Sequence, residues 1–242
     1  MPDLRYRAST DELMDDPTVG TEVLEKALVE LPRINRWLGG YRATLRTLDA
    51  YRKAVAPTQL HILDVGTGIG DYPARIVEWG LRRDIDIRVT AVDINPVTVR
   101  FARQTAESSL PSAVHSRIEF IEGDALELEW PDASFDICTS ALFFHHLSDE
   151  HCISVLRQML RLSKAGVLIN DIQRHAMAYY GIVFVTSALP FSTMVRHDAP
   201  VSVRRAFHRA EVERVAARAG CRNAAIRWHW AFRWILTNLP QR

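Results

Sequence analysis

The sequence predicts an α/β fold built on a doubly wound, mainly parallel sheet, and three observations carry that expectation. Short apolar runs alternate with helix-like segments from Leu60 to Asp171, the first three runs end in acidic residues, and a triple-glycine turn, Asp64-Val-Gly-Thr-Gly-Ile-Gly70, closes the first run. Strand-helix alternation is the pattern of parallel strands joined by crossover helices. Glycines at Gly66, Gly68 and Gly70 allow positive φ and close approach of backbone to a ligand at the C-terminal edge of such a sheet.

Residues 1–57 read as an N-terminal helical cap. Leu24, Leu28, Leu31, Ile34 and Leu38 recur at helical intervals, Gly39-Gly40 interrupts them, and Tyr41 to Arg52 resumes the pattern, so two or three short helices are expected. The main domain, residues 58–242, then alternates a strand over Leu60–Val65, a helix from Asp71 through Trp79, a strand over Ile85–Val92, a helix opening at Asn95-Pro96, and strands over Ile118–Ile121 and Phe135–Thr139. Asn95 is an N-cap and Pro96 fits the first helical position. Ser148 caps the next helix, whose apolar stripe Ile153, Leu156, Met159 and Leu160 is expected to end near Gly166, before a strand over Val167–Asn170. A last helix, Ala210–Ala219, stops at Gly220. Two aromatic-rich segments, Ala224–Trp230 and Phe232–Thr237, read as a closing antiparallel pair.

Three acids stand at strand ends. Asp64 follows the first strand, Asp93 the second, and Asp124 lies in Gly-Asp-Ala125 after the third. A carboxylate at Asp93 can accept two hydrogen bonds from ribose hydroxyls, and one at Asp124 can accept from an adenine amine, so the ends read as an adenosine pocket.

With the glycine turn, the second-strand acid, the Gly-Asp-Ala turn and the strand Phe135-Asp-Ile in that order, residues 58–171 resemble the class I S-adenosylmethionine-dependent methyltransferases. The resemblance implies a seven-stranded Rossmann-like sheet with a reversed last strand. It also implies S-adenosylmethionine as cofactor: Asp64, Gly66, Thr67, Gly68 and Gly70 at its methionine end, Asp93 and Ile94 at its ribose, Asp124 and Ala125 at its adenine. One departure is Lys164-Ala-Gly166 where the family commonly carries Pro-Gly-Gly. The rival is a nicotinamide-dependent oxidoreductase, but its fingerprint is G-x-G-x-x-G, the glycines here alternate as G-x-G-x-G, and the third acid has no role in it. A protein that binds S-adenosylmethionine without turning it over is a further alternative.

Residues 172 to about 208 exceed what the basic family plan needs and read as an insertion after the fifth strand. No charged residue occurs from Ala176 to Val195. A lid over an apolar substrate is expected there, with an interfacial membrane or partner contact as the alternative. Thr186, Ser187, Pro190, Ser192 and Thr193 interrupt a run that barely reaches the roughly 20 residues of a spanning helix, so no span is expected.

Methyl transfer in the resembled family is an in-line attack, and a hydroxyl acceptor must also lose a proton. His145, His146 and His175 are the candidate bases, with Asp171 to orient one of them. Phe143, Phe144, Tyr179 and Tyr180 are candidates to face the sulfonium, where cation–π attraction is worth roughly 0.5 to 2 kcal/mol; core packing competes for each. Arg204 and Arg205 either meet an acidic substrate group or pair internally. A metal set of His145, His146 and His151 lacks a carboxylate or thiol at a recognisable spacing, and no metal is expected.

At 242 residues and 48% hydrophobic, the chain can bury one large core. A net charge of +1 with interspersed signs leaves no electrostatic footprint for nucleic acid. Cys138, Cys152 and Cys221 form no C-x-x-C pair, and the segment after Met1 lacks the apolar core of a signal peptide, so a cytoplasmic location is expected. The reading is methyl transfer to a small apolar acceptor, most naturally an aromatic or polyketide-like hydroxyl. Carbon methylation would use the same pocket, and the sequence specifies no oligomeric state.

Overall fold

The structure, a computed structural model, describes residues 2–16 and 18–241. A strap over residues 2–16, with a 3-10 turn at Leu13–Asp15, leads into α1 (Thr21–Trp37) and α2 (Gly40–Val55). Gly39 lies between the two helices at φ +66, the left-handed geometry that breaks the first helix where the sequence places the break.

The alternating core then follows as β1 (Gln59–Val65), α3 (Asp71–Leu81), β2 (Asp86–Asp93), α4 (Pro96–Ser109), α5 (Ser112–His115), β3 (Ile118–Glu122), β4 (Phe135–Ala141), α6 (Asp149–Leu162) and β5 (Ser163–Ile172). Completing the chain are α7 (Ala176–Ala188), α8 (Thr193–Arg205), α9 (Arg209–Ala219), β6 (Ala225–His229) and β7 (Arg233–Thr237). Seven strands form one sheet in the order β3-β2-β1-β4-β5-β7-β6, parallel except for β7, which runs antiparallel to both of its neighbours. The order reverses between β1 and β4, the switch point at which ligands bind in open α/β sheets.

Capping signals act as the sequence predicts. Asn95 Oδ1 accepts from the Val97 and Thr98 amides, Ser148 Oγ accepts from the His151 amide, and Gly220 closes α9 at φ +77. One boundary differs. The helix expected to end near Gly166 stops at Leu162, and residues 163–166 already belong to β5, with Ser163 paired to Phe135. Gly166, at φ +132, lies inside the strand because Asn238 Oδ1 accepts from the Val167 amide (2.8 Å) and fills the space a Cβ would need.

Two apolar layers sandwich the sheet. Leu48, Tyr51, Trp79, Val99 and Ala102 from α2, α3 and α4 cover one face, while Leu156, Met159, Val212 and Val215 from α6 and α9 cover the other. A third cluster joins α1 to α7 and α8 through Leu24, Leu28, Ile182, Met194, Val195 and Val203. Together the strap, α1, α7 and α8 wall off the space above the C-terminal ends of β1, β4 and β5. Cys138, Cys152 and Cys221 are buried free thiols, and burial raises the pKa of each, that of Cys221 to about 11. No helix among the described residues is long and apolar enough to cross a membrane.

Candidate functional site

Above the switch point lies a cavity of about 540 Å³. Its floor is the turn after β1 and the end of β2: Gly66, Thr67, Gly68, Asp93 and Ile94 all line it. Gly66 has φ +67, and a Cβ there would collide with the Phe143 ring; Gly68, at φ +55, has open space where a Cβ would stand. The turn is tied down by Asp93, whose Oδ2 accepts from the Gly68 amide (2.9 Å) and whose Oδ1 accepts from the Asn95 amide (3.0 Å). Burial raises the Asp93 pKa against those two amides and the nearby charge of His146.

Asp64 and Gly70 brace this floor from beneath rather than lining the cavity. Asp64 Oδ1 accepts from the Thr139 hydroxyl (2.6 Å), and burial pushes its pKa up to about 7 despite that bond. Gly70, at φ +75, makes room for the Phe120 ring and starts α3. Asp124 and Ala125 stand at the end of β3, outside the cavity, where Asp124 Oδ1 accepts from the Leu126 amide (2.8 Å).

The opposite wall holds His145 and His146, in a 3-10 turn after β4. Asp171, at the end of β5, accepts from the His145 amide through Oδ2 (3.1 Å) and bonds His145 Nδ1 through Oδ1 (2.7 Å). Burial would raise the Asp171 pKa, but the charge and hydrogen bond of His145 outweigh it and hold the carboxyl below the usual range. With Nδ1 so engaged, His145 directs Nε2 at Glu12 Oε1, 3.6 Å away. His146 donates from Nδ1 to Asp15 Oδ1 (2.9 Å). Burial works against its imidazolium, yet the Glu12 charge and the Asp15 hydrogen bond prevail and lift its pKa to about 9.

Not every sequence candidate reaches the cavity. Phe143 lines it, whereas Phe144, the next residue in the 3-10 turn, points into the core below and is 2% exposed. His175 serves as the N-cap of α7, its Nδ1 accepting from the Met177 amide (3.1 Å), and its ring stacks on Phe232. Tyr179 packs among α1, α7 and α8, and Tyr180 faces outward; the α7 residues that line the cavity are Met177, Ala178, Gly181, Ile182 and Val185. Arg205 pairs internally, with Asp11 and Asp15 (both 3.1 Å), and its Nε donates to the His145 carbonyl.

Several lining residues carry no sequence signal. Glu12 and Asp15 arrive on the strap, which Arg174 holds through the Leu4 and Arg5 carbonyls and Asp198 holds through the Leu13 and Met14 amides. Arg233, at the start of β7, is 3% exposed; its Nη2 donates to Asn35 Oδ1 (3.1 Å), while Nε and Nη1 find no partner among the described residues. The Tyr72 hydroxyl is likewise unpartnered. A Cβ on Gly40 would fall 2.9 Å from both Tyr72 Oη and Arg233 Nη2, so the two polar groups converge on space that glycine leaves. Beside them Asp71 accepts from the Tyr41 hydroxyl (2.7 Å). A buried guanidinium with unused donors is costly unless a ligand satisfies it.

Glu12, His145 and His146 also offer donor atoms within 4.8 Å of one another, a set that a metal ion could use, completed by a carboxylate about 130 residues away from the histidines. The Arg205 guanidinium lies beside that set, and the raised pKa of His146 puts positive charge on one of its members.

Residues 62–166 match the sequence family described as methyltransferase domain. Ajmaline N-methyltransferase of Rauvolfia serpentina is 30% identical over 57% of this chain and 46% of its own length. Demethylmenaquinone methyltransferase of Deinococcus radiodurans is 33% identical over 56% of this chain and 52% of its own. The chain thus spans about half the length of these curated relatives. Magnesium protoporphyrin IX methyltransferase from Synechocystis PCC 6803, solved with bound SAH, superposes with a TM-score of 0.55 at 16% identity, covering 82% of each chain.

Proposed function

We propose that this chain, which belongs to the class I S-adenosylmethionine-dependent methyltransferases, methylates a hydroxyl group on a small apolar acceptor, aromatic or polyketide-like. The observation that carries this reading is the convergence of the Gly66–Asp93 floor and the His145–His146 wall on one largely apolar cavity.

The residues present fit S-adenosylmethionine. Its ribose suits the Asp93 carboxylate, which keeps acceptor capacity beyond its two amide bonds. Asp124 and the Ala125 backbone stand at the neighbouring strand end for adenine. Its amino-acid carboxylate suits Arg233 and Tyr72, whose unused donors need such a partner, and the acid-rich surroundings of Asp64 and Asp71 suit a ligand with excess positive charge. When bound, this cofactor supplies an activated methyl group for transfer to an acceptor atom.

The remaining chemistry belongs to the chain. His146 takes the acceptor proton: its pKa of about 9 lies near the ordinary phenol value of about 10, so transfer between them is close to balanced. Asp15 holds its Nδ1 and leaves Nε2 for the acceptor. His145, fixed by Asp171, positions its neighbour at a ring separation of 4.3 Å. Leu24, Leu28, Ile182, Val185 and Met194 bind the apolar body of the acceptor and exclude water, which makes α7 and α8 a cover over the site. Methylation at a ring carbon also releases a proton, so the same histidine would serve a carbon acceptor in this cavity.

Asp93→Ala tests the cofactor assignment. Loss of its charged hydrogen bonds to ribose is expected to weaken S-adenosylhomocysteine binding by about 3 kcal/mol, roughly a hundredfold. Unchanged affinity in a folded variant refutes it.

A further inference from the structure

The mouth of the cavity opens onto an apolar surface. On α7, Met177, Tyr180 and Phe184 recur on one helical face and are 68%, 46% and 73% exposed. Across the mouth the end of β6 exposes Trp228 (54%) and the turn to β7 exposes Trp230 (72%). The two sides are continuous: Phe232 stacks on His175, the cap of α7, and meets Trp228 edge-on at 6.4 Å, while Met177, Trp230 and Phe232 all line the cavity. Isolated exposed apolar residues mean little, but a contiguous patch rimming a pocket marks a binding surface.

Charge says what covers it. Between Glu30 and Asp49 the chain carries Arg33, Arg36, Arg42 and Arg46, all exposed, and no acid; residues 225–237, which form β6, β7 and their turn, carry the exposed Arg227 and the buried Arg233 and no acid. These stretches flank the mouth, since Leu31, Pro32, Asn35 and Leu38 of the first line the cavity together with Trp230 and Arg233 of the second. Arg46 and Arg227 both lie near His229, whose pKa is lowered by burial and then by those two charges. In a chain of net charge +1 this is a local excess of positive charge beside an aromatic rim. Tryptophan at headgroup depth with arginine against lipid phosphate is the signature of interfacial adsorption. A second copy of the chain fits poorly, because a two-fold contact through this face would set arginines against arginines.

We propose that this face docks on an anionic lipid bilayer, with Phe184, Trp228 and Trp230 at headgroup depth, so that an apolar acceptor enters the cavity from the membrane. Docking stands apart from the proposed function; only the nature of the cargo rests on it. The helix lies in the interface and does not cross it: 13 residues of α7 reach about 20 Å, against a hydrocarbon core of about 30 Å.

The test is flotation of the full chain with phosphatidylcholine vesicles, alone or with about 30 mol% phosphatidylglycerol, with S-adenosylhomocysteine affinity and thermal midpoint measured in parallel. The expected result is at least tenfold stronger partitioning onto the anionic vesicles, weakened by salt. Phe184→Asp and Trp228→Asp, neither of which lines the cavity, should each cut partitioning about tenfold while leaving cofactor affinity and melting unchanged. Arg46→Glu combined with Arg227→Glu should remove the preference for anionic lipid. Absence of wild-type binding to the anionic vesicles, or variants that bind as well as wild type, overturns the proposal. A concentration-dependent doubling of mass that Phe184→Asp abolishes would give the face to a second copy instead. Vesicle binding without cofactor binding would sink the methyltransferase reading and leave the docking intact.

Discussion

The base assignment makes a steep claim about pH. With a pKa of about 9, His146 is neutral in only about 1% of molecules at pH 7 and in half of them near pH 9. If neutral His146 accepts the proton, kcat/KM for a phenolic acceptor should rise nearly tenfold per unit from pH 7, reach half its plateau near pH 9 and level off above about pH 10, a total gain of about a hundredfold. The cause lies in Glu12 and Asp15, so Asp15→Asn, which removes one charge and the hydrogen-bond acceptor of a carboxylate, should move the inflection to lower pH and raise the rate at pH 7. His146→Ala should abolish the inflection and leave S-adenosylhomocysteine affinity unchanged. Initial rates of labelled-methyl transfer across pH 6 to 10 measure all three. A flat profile, or one whose inflection ignores Asp15→Asn, means that His146 is not the base. Linkage gives the same sign independently: a folded pKa raised above the ordinary value of about 6.5 stabilises the fold fully below that pH, and the contribution disappears as pH rises through about 9.

Two other residue groups make separate predictions. Arg233→Met should weaken S-adenosylhomocysteine by about ten- to hundredfold, the worth of one or two charged hydrogen bonds, and leave 5′-methylthioadenosine, which lacks the carboxylate, unaffected; equal losses for both ligands would mean that Arg233 acts only through the fold. Chelation with EDTA should leave turnover unchanged because the base needs no metal, whereas loss of activity restored by a divalent ion would assign Glu12, His145 and His146 to that ion.

Local rules made the framework readable. Asn95, Ser148, Gly39 and Gly220 each mark an element boundary by a short-range backbone requirement, and period-two and period-3.6 patterns separate strands from helices. The cavity floor was legible for the same reason, since Gly66, Gly68 and Asp93 sit within one strand-turn-helix unit and the next strand end. The walls were not. Glu12, Asp15 and Arg233 reach the cavity through contacts spanning most of the chain, and nothing in their neighbours' spacing encodes that. On α7 the sequence is apolar all round, so no periodicity separates the cavity-facing Ile182 and Val185 from Tyr179 and Tyr180. His175 shares its place at the end of β5 with Asp171, but its ring is spent on capping α7.

Calorimetric titration of the purified protein with S-adenosylhomocysteine and, in parallel, with NADH decides which cofactor the cavity takes. Micromolar binding of S-adenosylhomocysteine and none of NADH is expected. Binding of NADH alone would contradict the cofactor assignment and, with it, the roles given to Asp93, Asp124 and Arg233.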